Sequence, residues 1–117
     1  MAFETIDNRQ WRMQVAQRKV EVTIVTGKTG STDVAVNGEL LNYVIVAPDL
    51  ATDADFTLSF VNEDSETTYS KSTISDNTTT AVLVSATPVP MSGTITVTCS
   101  CTTDQTDKSF TIYLYYK

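Results

Sequence analysis

Strict alternation of apolar and polar side chains is the feature that most constrains how this chain folds. Residues 94–101 read TITVTCSC, with Ile95, Val97, Cys99 and Cys101 in one register and hydroxyl side chains in the other. Residues 110–116 repeat the pattern. In a β-strand, alternate side chains lie on opposite faces. The two-residue period of both segments therefore predicts strands with one buried face.

Strand-like segments separated by turn residues recur along the whole chain. The predicted strands cover residues 20–24, 33–36, 40–47, 56–60, 67–73, 81–86, 94–101 and 110–116. The segment 87–91, with two prolines, is predicted to be an extended connection. The sequence therefore predicts an all-β chain, an antiparallel β-sandwich or jelly roll of about seven or eight strands.

The composition of individual segments predicts where each strand lies in its sheet. Residues 40–47 are apolar on both faces, which favours a central strand covered from both sides, and residues 81–86 are predicted to be interior as well. Residues 67–73 are polar on both faces and favour an edge strand, with a turn before them at residues 62–65. The last two strands, joined by the polar loop 102–109, are predicted to form a hairpin.

Residues 1–19 have no single pattern. Trp11, Met13 and Val15 alternate as in a strand, whereas Phe3, Ile6 and Met13 share a helix face. An arm, a short helix and a first strand all remain open, and we expect an arm of mixed structure. The sequence thus predicts an N-terminal arm, residues 1–19, followed by one sandwich domain, residues 20–117.

The segment VTGKTGST at residues 25–32 contains the letters GKT that end a phosphate-binding loop. Such a loop needs a glycine five positions before the Gly-Lys pair and a helix after it. Here that position is Val22, and an alternating segment, Val34 to Val36, follows. We therefore predict that residues 27–30 form a hairpin loop with Lys28 solvated at its tip, and not a nucleotide site.

The residues available for catalysis are few. The chain has no histidine, which excludes histidine-based acid and base pairs and histidine zinc ligands. Cys99 and Cys101 lie on the same face of one strand, a geometry that disfavours a disulfide, so we predict two reduced thiols packed in the core. We expect no enzyme, no catalytic residue, no metal site and no cofactor. Asp49, Asp53 and Asp55 match no calcium loop and are predicted to lie in a solvated loop.

Net charge bears on the partners. The chain carries a formal charge of −6, and an acidic body repels both nucleic acid and anionic membranes. Its apolar runs are shorter than a membrane span, and the N-terminus lacks the apolar core of a secretory signal. We expect a cytoplasmic origin and partners that are neither nucleic acid nor membrane.

Two regions are predicted to contact partner subunits. If Phe110, Ile112 and Leu114 face the core, Tyr113 and Tyr115 face outward, and tyrosine is enriched at protein contacts. Trp11 beside Arg12 is the second region, because tryptophan and arginine are frequent in binding hot spots. Substitution of these aromatic residues is expected to weaken assembly and to leave the monomer folded.

The C-terminal residues carry a family resemblance. The run PVPMSGTITVT at residues 88–98, followed by a Thr/Asp loop and the terminal FTIYLYYK at residues 110–117, resembles the end of small virion proteins of tailed bacteriophages. In those proteins a Pro-x-x-Gly entry leads into a Thr/Val strand, and an aromatic-rich last strand ends near a basic residue. The resemblance implies a head decoration or cement protein that binds the major capsid protein or other virion subunits. It also implies a homo-oligomer, with a trimer favoured on three-fold positions of the shell, and a location in the virion.

Three alternatives stay open beside the decoration protein. Phage neck, tail and fibre components use similar sandwiches. A carbohydrate-binding or adhesin-like module would stack sugars on exposed aromatic residues such as Tyr43, Tyr69 or Trp11. An enzyme is disfavoured, since the available nucleophiles lack a base. Fold alone does not separate these classes.

Overall fold

The computed structural model describes residues 16–51, 55–83 and 89–117. These residues contain strands and no helix, which confirms the all-β prediction, and no helix among them could cross a membrane. The strands are β1 (Ala16–Ile24), β2 (Thr29–Ala35), β3 (Gly38–Val46), β4 (Phe56–Val61), β5 (Thr67–Ile74), β6 (Thr79–Leu83), β7 (Val89–Met91), β8 (Thr94–Cys101) and β9 (Lys108–Tyr116). The strand in addition to those predicted is β7, which lies in the segment expected to be a connection.

Two antiparallel sheets stack as a sandwich. Sheet A has the order β1-β9-β3-β6, with β7 also paired to β3, and sheet B has the order β2-β8-β4-β5. The first four strands along the chain alternate between the sheets, and so do the last two, which is the winding of a jelly roll. The predicted sandwich or jelly roll is confirmed.

The core lies between the sheets and is filled by the inward rows that the alternation predicted. Phe110, Ile112 and Leu114 of β9 have no solvent-exposed surface, and the ring of Phe110 lies 4.7 Å from that of Phe56 across the sandwich. Burial of each such side chain stabilises the fold by about 1.5–3 kcal/mol. From β8, Val97 and Cys99 add to the same core.

Two predicted hairpins are wrong. β8 belongs to sheet B and β9 to sheet A, so the loop between them crosses from one sheet to the other. The loop that contains Gly27 and Lys28 likewise joins β1 of sheet A to β2 of sheet B, although Lys28 is exposed as expected. Alternation shows which side chains face the core, but it has the same form for a strand of either sheet. The turn at residues 62–65 does join a hairpin, β4 to β5, and Asn62 Oδ1 accepts hydrogen bonds from the backbone N–H groups of Asp64 and Glu66.

Strand positions within the sheets agree with the sequence in two cases and differ in a third. β3 is central and β5 is an edge strand, both as predicted. The segment 81–86 was expected to be interior, but β6 is the edge strand of sheet A among the described residues, and Ala81 is exposed. β3 is also buried on its inner face only, since Val46 on its outer face is 40% exposed.

The β1–β2 margin of the sandwich is held closed by direct contact. Thr32 Oγ1 donates a 2.6 Å hydrogen bond to the backbone oxygen of Glu21. At Gly30 a Cβ atom would lie 2.5 Å from the backbone oxygen of Thr23, so the two strands approach there more closely than any side chain permits. Gly30 in the GKTG segment therefore serves packing rather than phosphate binding.

A buried glutamine joins the loops at one end of the sandwich. The Gln105 side chain is 1% exposed, its Oε1 accepts a 2.8 Å hydrogen bond from the N–H of Ala51, and its Nε2 donates to Thr103 Oγ1. Its backbone N–H donates to the oxygen of Gly27, which ties the β1–β2 loop to the β8–β9 loop. A polar side chain at this depth is stable because both of its ends are paired.

Both thiols are expected to be unreactive in the folded protein. Cys99 and Cys101 are free and buried, and burial raises the pKa of each thiol above its ordinary value. Because the thiolate is the nucleophile, we expect both to react with Ellman's reagent roughly 100-fold more slowly in the native protein than in urea. Rapid release of two equivalents from native protein would contradict this burial.

The same shift gives the fold an alkaline limit. An unfolded thiol ionises near its ordinary pKa of 9.0, whereas the folded one stays neutral. The stabilising contribution of the buried thiols is therefore complete below pH 9.0 and is lost as the pH rises above it.

Candidate functional site

The outer face of sheet A carries the two tyrosines that the sequence predicted as partner contacts. Ile112 and Leu114 are fully buried, so Tyr113 and Tyr115, the alternate residues of β9, lie on the opposite face, where both are half-buried. The neighbouring strands place aliphatic side chains beside them. We call this surface the tyrosine face, made of Tyr113, Tyr115, Val44, Val46 and Ala81.

Strand register brings these residues together. Tyr113 lies opposite Val44 of β3 on one side and Lys19 of β1 on the other, and Ala81 of β6 lies opposite Val44. Side chains opposite each other on one face of antiparallel strands have Cβ atoms about 4.5–5.5 Å apart. The tyrosine face is therefore a continuous patch on three neighbouring strands of sheet A, β9, β3 and β6, with Lys19 of β1 beside it.

The β1 side of the tyrosine face is polar. Tyr115 lies between Gln17 and Asn42, and Gln17 Nε2 donates a 3.3 Å hydrogen bond to the Tyr115 hydroxyl. Lys19 Nζ lies 3.7 Å from Glu21 Oε1, with both side chains more than half exposed. An exposed ion pair of this kind contributes little to stability, so Lys19 and Glu21 are free to take part in contacts made by the surface.

The centre of the tyrosine face has no charged side chain. Its residues are two tyrosines, two valines and an alanine, while the charged groups stand at the β1 margin. Protein interfaces have this arrangement: the centre is poor in charged residues and rich in aromatic ones, and the rim is polar. Val46, at 40% exposure, is one of the two large apolar side chains most exposed among the described residues.

The outer face of sheet B has a different chemistry. Alternate residues of β8 are Thr94, Thr96, Thr98 and Ser100, and they face hydroxyl groups of β2. Ser31 and Thr98 share a hydrogen bond of 3.0 Å, Thr29 and Ser100 share one of 3.2 Å, and Thr96 Oγ1 donates to Asp33 Oδ1. Because these groups pair within the face, this surface offers fewer unpaired groups to a partner than the tyrosine face does.

Trp11 and Arg12 lie outside the described residues, so the structure does not place the second predicted contact region. The described chain starts at Ala16, which lies opposite Tyr116 in β1–β9 pairing.

The aromatic residues considered for sugar stacking are not a platform. Tyr43 is fully buried, and its hydroxyl shares a 2.7 Å hydrogen bond with the Tyr69 hydroxyl across the sandwich. Burial, then this hydrogen bond, raises the pKa of Tyr43. Tyr69 stacks on Phe60, with ring centroids 5.4 Å apart. The expectation that Tyr43 is exposed is wrong, because its position in β3 belongs to the inward row.

The described residues hold no group of three or more His, Cys, Asp or Glu side chains that could bind a metal ion. Asp49 and Asp55 are exposed, and Asp53 lies outside the described residues. Asp104 is exposed too, and hydrogen bonds from the Thr106 side chain and backbone lower its pKa. A carboxylate that stays ionised in this way is a poor general acid.

Sequence reasoning missed Val44, Val46 and Ala81 as members of the site. The signal was the apolar run at residues 40–47, which was interpreted as a strand buried on both faces. Its outer residues instead form part of an exposed patch, and their neighbour Ala81 comes from a strand predicted to be interior.

Comparison with known proteins gives likenesses of structure alone. A scan of protein-family models finds no match, and a search of curated proteins finds none either. TmCBM61, solved with β-1,4-galactotriose, has a TM-score of 0.47 at 9% identity over 91% of this chain and 83% of its own. A family two carbohydrate esterase from Cellvibrio japonicus has a TM-score of 0.44 at 11% identity, over 88% of this chain and 34% of its own.

A viral structure is also among the similar ones. The structure of infectious bursal disease virus, Gx strain, has a TM-score of 0.38 at 12% identity over 87% of this chain and 32% of that chain. Sandwich folds serve binding modules, enzymes and capsids alike, so the functional argument depends on the surface of this chain.

Proposed function

We propose that the chain is a structural protein of a tailed-phage virion, a head decoration or cement protein that attaches through the tyrosine face. The single observation that carries this proposal is an exposed, charge-free patch with two tyrosines at the centre of sheet A. The resemblance of residues 88–117 to phage virion proteins supplies the class of assembly. The partners are the major capsid protein or other virion subunits, and the location is the virion, assembled in the host cytoplasm.

The dimensions of the tyrosine face suit one part of an interface. Three strands about 4.8 Å apart and three alternate positions per strand give roughly 300 Å², against about 800 Å² per partner in a standard interface. A second contact is therefore needed. We assign this second contact to residues 1–15, with Trp11 and Arg12, which precede β1 in the sequence.

The chemistry of the described residues suits a passive binding role. Both thiols are buried with raised pKa values, and every buried side-chain polar atom in the described ranges has a hydrogen-bond partner. Such groups hold the fold together rather than act on a substrate. We propose a protein that binds neighbouring subunits without catalysis or cofactor and without contact to nucleic acid or membrane.

Saturation binding to phage heads tests the proposed function. The purified chain is mixed with empty heads of the phage that encodes it, and bound protein is measured after sedimentation, while light scattering gives the oligomeric state of the free protein. We expect saturation at a fixed ratio to capsid subunits and a closed oligomer, with a trimer favoured. Absence of head binding would overturn the decoration role.

Carbohydrate binding is the second candidate, because the tyrosine face has groups that suit a sugar. Tyr115 stands between the side-chain amides of Gln17 and Asn42, which can donate and accept hydrogen bonds, and Tyr113 is the next outward residue of the same strand. A glycan array separates the two candidates. Saturable glycan binding with no affinity for heads would favour the sugar module, and binding to heads whose surface carries no glycan would favour the decoration protein. Attachment at the neck, tail or fibre would appear as binding to whole virions but not to empty heads.

A further inference from the structure

We propose that an extended segment of the partner subunit adds to the β6 edge of sheet A, and that this segment carries apolar side chains beside a carboxylate. We call the site the β5–β6 margin, made of Tyr69 and Lys71 of β5 and Thr79, Thr80 and Val82 of β6. This inference depends on the proposed function and adds a further contact next to the tyrosine face.

The two lateral margins of the sandwich differ in how well they cover the core. At the β1–β2 margin the inward side chains of Val20 and Val34 are at most 5% exposed. At the β5–β6 margin the inward side chains of Tyr69 and Val82 pack against the core but are only partly buried. Both lie beside Tyr43, which is opposite Val82 in β3–β6 pairing and shares a 2.7 Å hydrogen bond with the Tyr69 hydroxyl. Within the described ranges, the inward rows are therefore partly open to solvent on this side.

The edge of β6 offers backbone groups for pairing. The N–H of Ala47 donates to the oxygen of Thr78, so Thr78 directs its oxygen toward β3. In an antiparallel ladder, successive residues alternate between directing their N–H and C=O groups to the partner strand and away from it. Thr79 and Ala81 therefore direct theirs away from β3, to the side on which the described part of the chain adds no further strand. Such an edge is a template for pairing with another chain.

The other edge strands have features that hinder pairing, and β6 has none of them. Arg18, Lys19 and Glu21 give β1 a charged edge, and β2 lies in close contact with β1. The β4–β5 register shifts twice, and Thr73 in β5 has a positive φ of 61°. By contrast, β6 reads TTAVL, without charge or proline, and its register with β3 is unbroken. Since charges and bulges are the usual protection of an edge, β6 is the edge that suits strand addition.

Lys71 indicates the chemistry of the incoming segment. It lies opposite the buried Leu58, so it belongs to the inward row of β5, yet it is exposed and forms no ion pair with a described residue. A strand added to β6 places alternate side chains on the side of Tyr69 and Val82, where apolar groups gain from burial. A carboxylate in the same row is attracted by Lys71. Charge complementarity therefore selects a partner segment that is both apolar and acidic.

A second copy of this chain does not match the β5–β6 margin. Its β1 edge carries the cations Arg18 and Lys19, its β5 edge repeats Lys71, and its β6 edge has no charge. Glu21 of β1 is already paired, with Oε1 3.7 Å from Lys19 Nζ. We therefore assign the margin to the partner subunit.

Two substitutions test different properties of the β5–β6 margin. Thr79→Pro removes a backbone donor from the outer side of β6 and leaves the bonds to β3 in place, since an edge strand tolerates proline at such a position. Lys71→Glu reverses the charge of the margin. Its matched control is Lys28→Glu, which makes the same change in the exposed β1–β2 loop. Circular dichroism checks folding, and binding to empty heads of the encoding phage is measured by sedimentation.

We expect Thr79→Pro to raise the dissociation constant about tenfold, because a backbone hydrogen bond to the partner is lost. Lys71→Glu should raise it about fivefold at low salt and less at high salt, and Lys28→Glu should stay within about twofold of wild type. The charge pair keeps the test decisive if Thr79→Pro does not fold. Wild-type binding by both margin variants would overturn the strand addition and leave the proposed function standing. Failure of the wild-type chain to bind heads would overturn both.

Hydrogen exchange identifies the occupant of the edge. The amides of Thr79 and Ala81 are expected to exchange rapidly in the free protein and at least about tenfold more slowly in the complex with heads. Protection already present in the free protein would overturn the partner subunit as occupant. Protection that falls on dilution would assign the edge to a second copy, and protection that does not depend on concentration would assign it to another segment of this chain.

Discussion

Replacement of Gly30 by alanine is expected to lower the free energy of unfolding by about 3 kcal/mol. The added Cβ would lie 2.5 Å from the backbone oxygen of Thr23 and 2.8 Å from its carbonyl carbon. Backbone atoms cannot swing aside as a flexible side chain does, so β2 must move away from β1. That movement also lengthens the hydrogen bond from Thr32 Oγ1 to the oxygen of Glu21, now 2.6 Å.

Gly27 provides the matched control for Gly30 in the same segment. It has a positive φ of 91°, and an added Cβ would meet no atom within 4 Å. Gly27→Ala therefore adds conformational strain without a clash, and we expect it to cost about 1 kcal/mol. Urea unfolding followed by circular dichroism gives both values. Equal destabilisation by the two substitutions would show that β1 and β2 do not approach as closely as described.

The strands could be predicted from sequence because alternation depends on local contact with the core. β8 and β9 each expose one register and bury the other, as the pattern of Ile95, Val97, Phe110 and Ile112 indicated. The partners of each strand could not be predicted in the same way. A strand of sheet A and a strand of sheet B bury their inward rows against the same core, so the two have the same pattern, and the β8–β9 hairpin was wrong for this reason.

The candidate site was predictable only in part for a related reason. Tyr113 and Tyr115 could be placed on an outer face by counting from Ile112, which needs no knowledge of the sheet. Val44 and Ala81 join them through the pairing of β9 with β3 and of β3 with β6, contacts between residues far apart in sequence. An apolar residue on the outward face of a strand can also mean two things. The sheet face can be covered by another layer, or it can be an exposed binding patch, and the sequence pattern is the same in both cases.

The double substitution Tyr113→Ala/Tyr115→Ala is expected to weaken head binding at least about 100-fold, because tyrosines at the centre of an interface commonly contribute 2 kcal/mol or more each. Both side chains are half-buried on the tyrosine face, and their loss leaves the inward row of β9 unchanged. Binding to empty heads of the encoding phage is measured by sedimentation, and thermal unfolding shows whether the monomer remains folded.

The matched control for the tyrosine pair is Thr96→Ala/Thr98→Ala, which truncates two outward residues with the same spacing in β8, a central strand of sheet B. We expect this variant to bind heads within about threefold of wild type, since rim and non-interface residues contribute little.

Val46→Lys is a further variant that keeps both tyrosines and places a charge in the charge-free centre. Because Val46 is 40% exposed, the lysine can be accommodated in the free monomer, yet it should weaken binding at least about tenfold, since charge is depleted at interface centres. The attachment surface would instead lie on sheet B if the double tyrosine variant and Val46→Lys both bound heads normally while Thr96→Ala/Thr98→Ala lost binding.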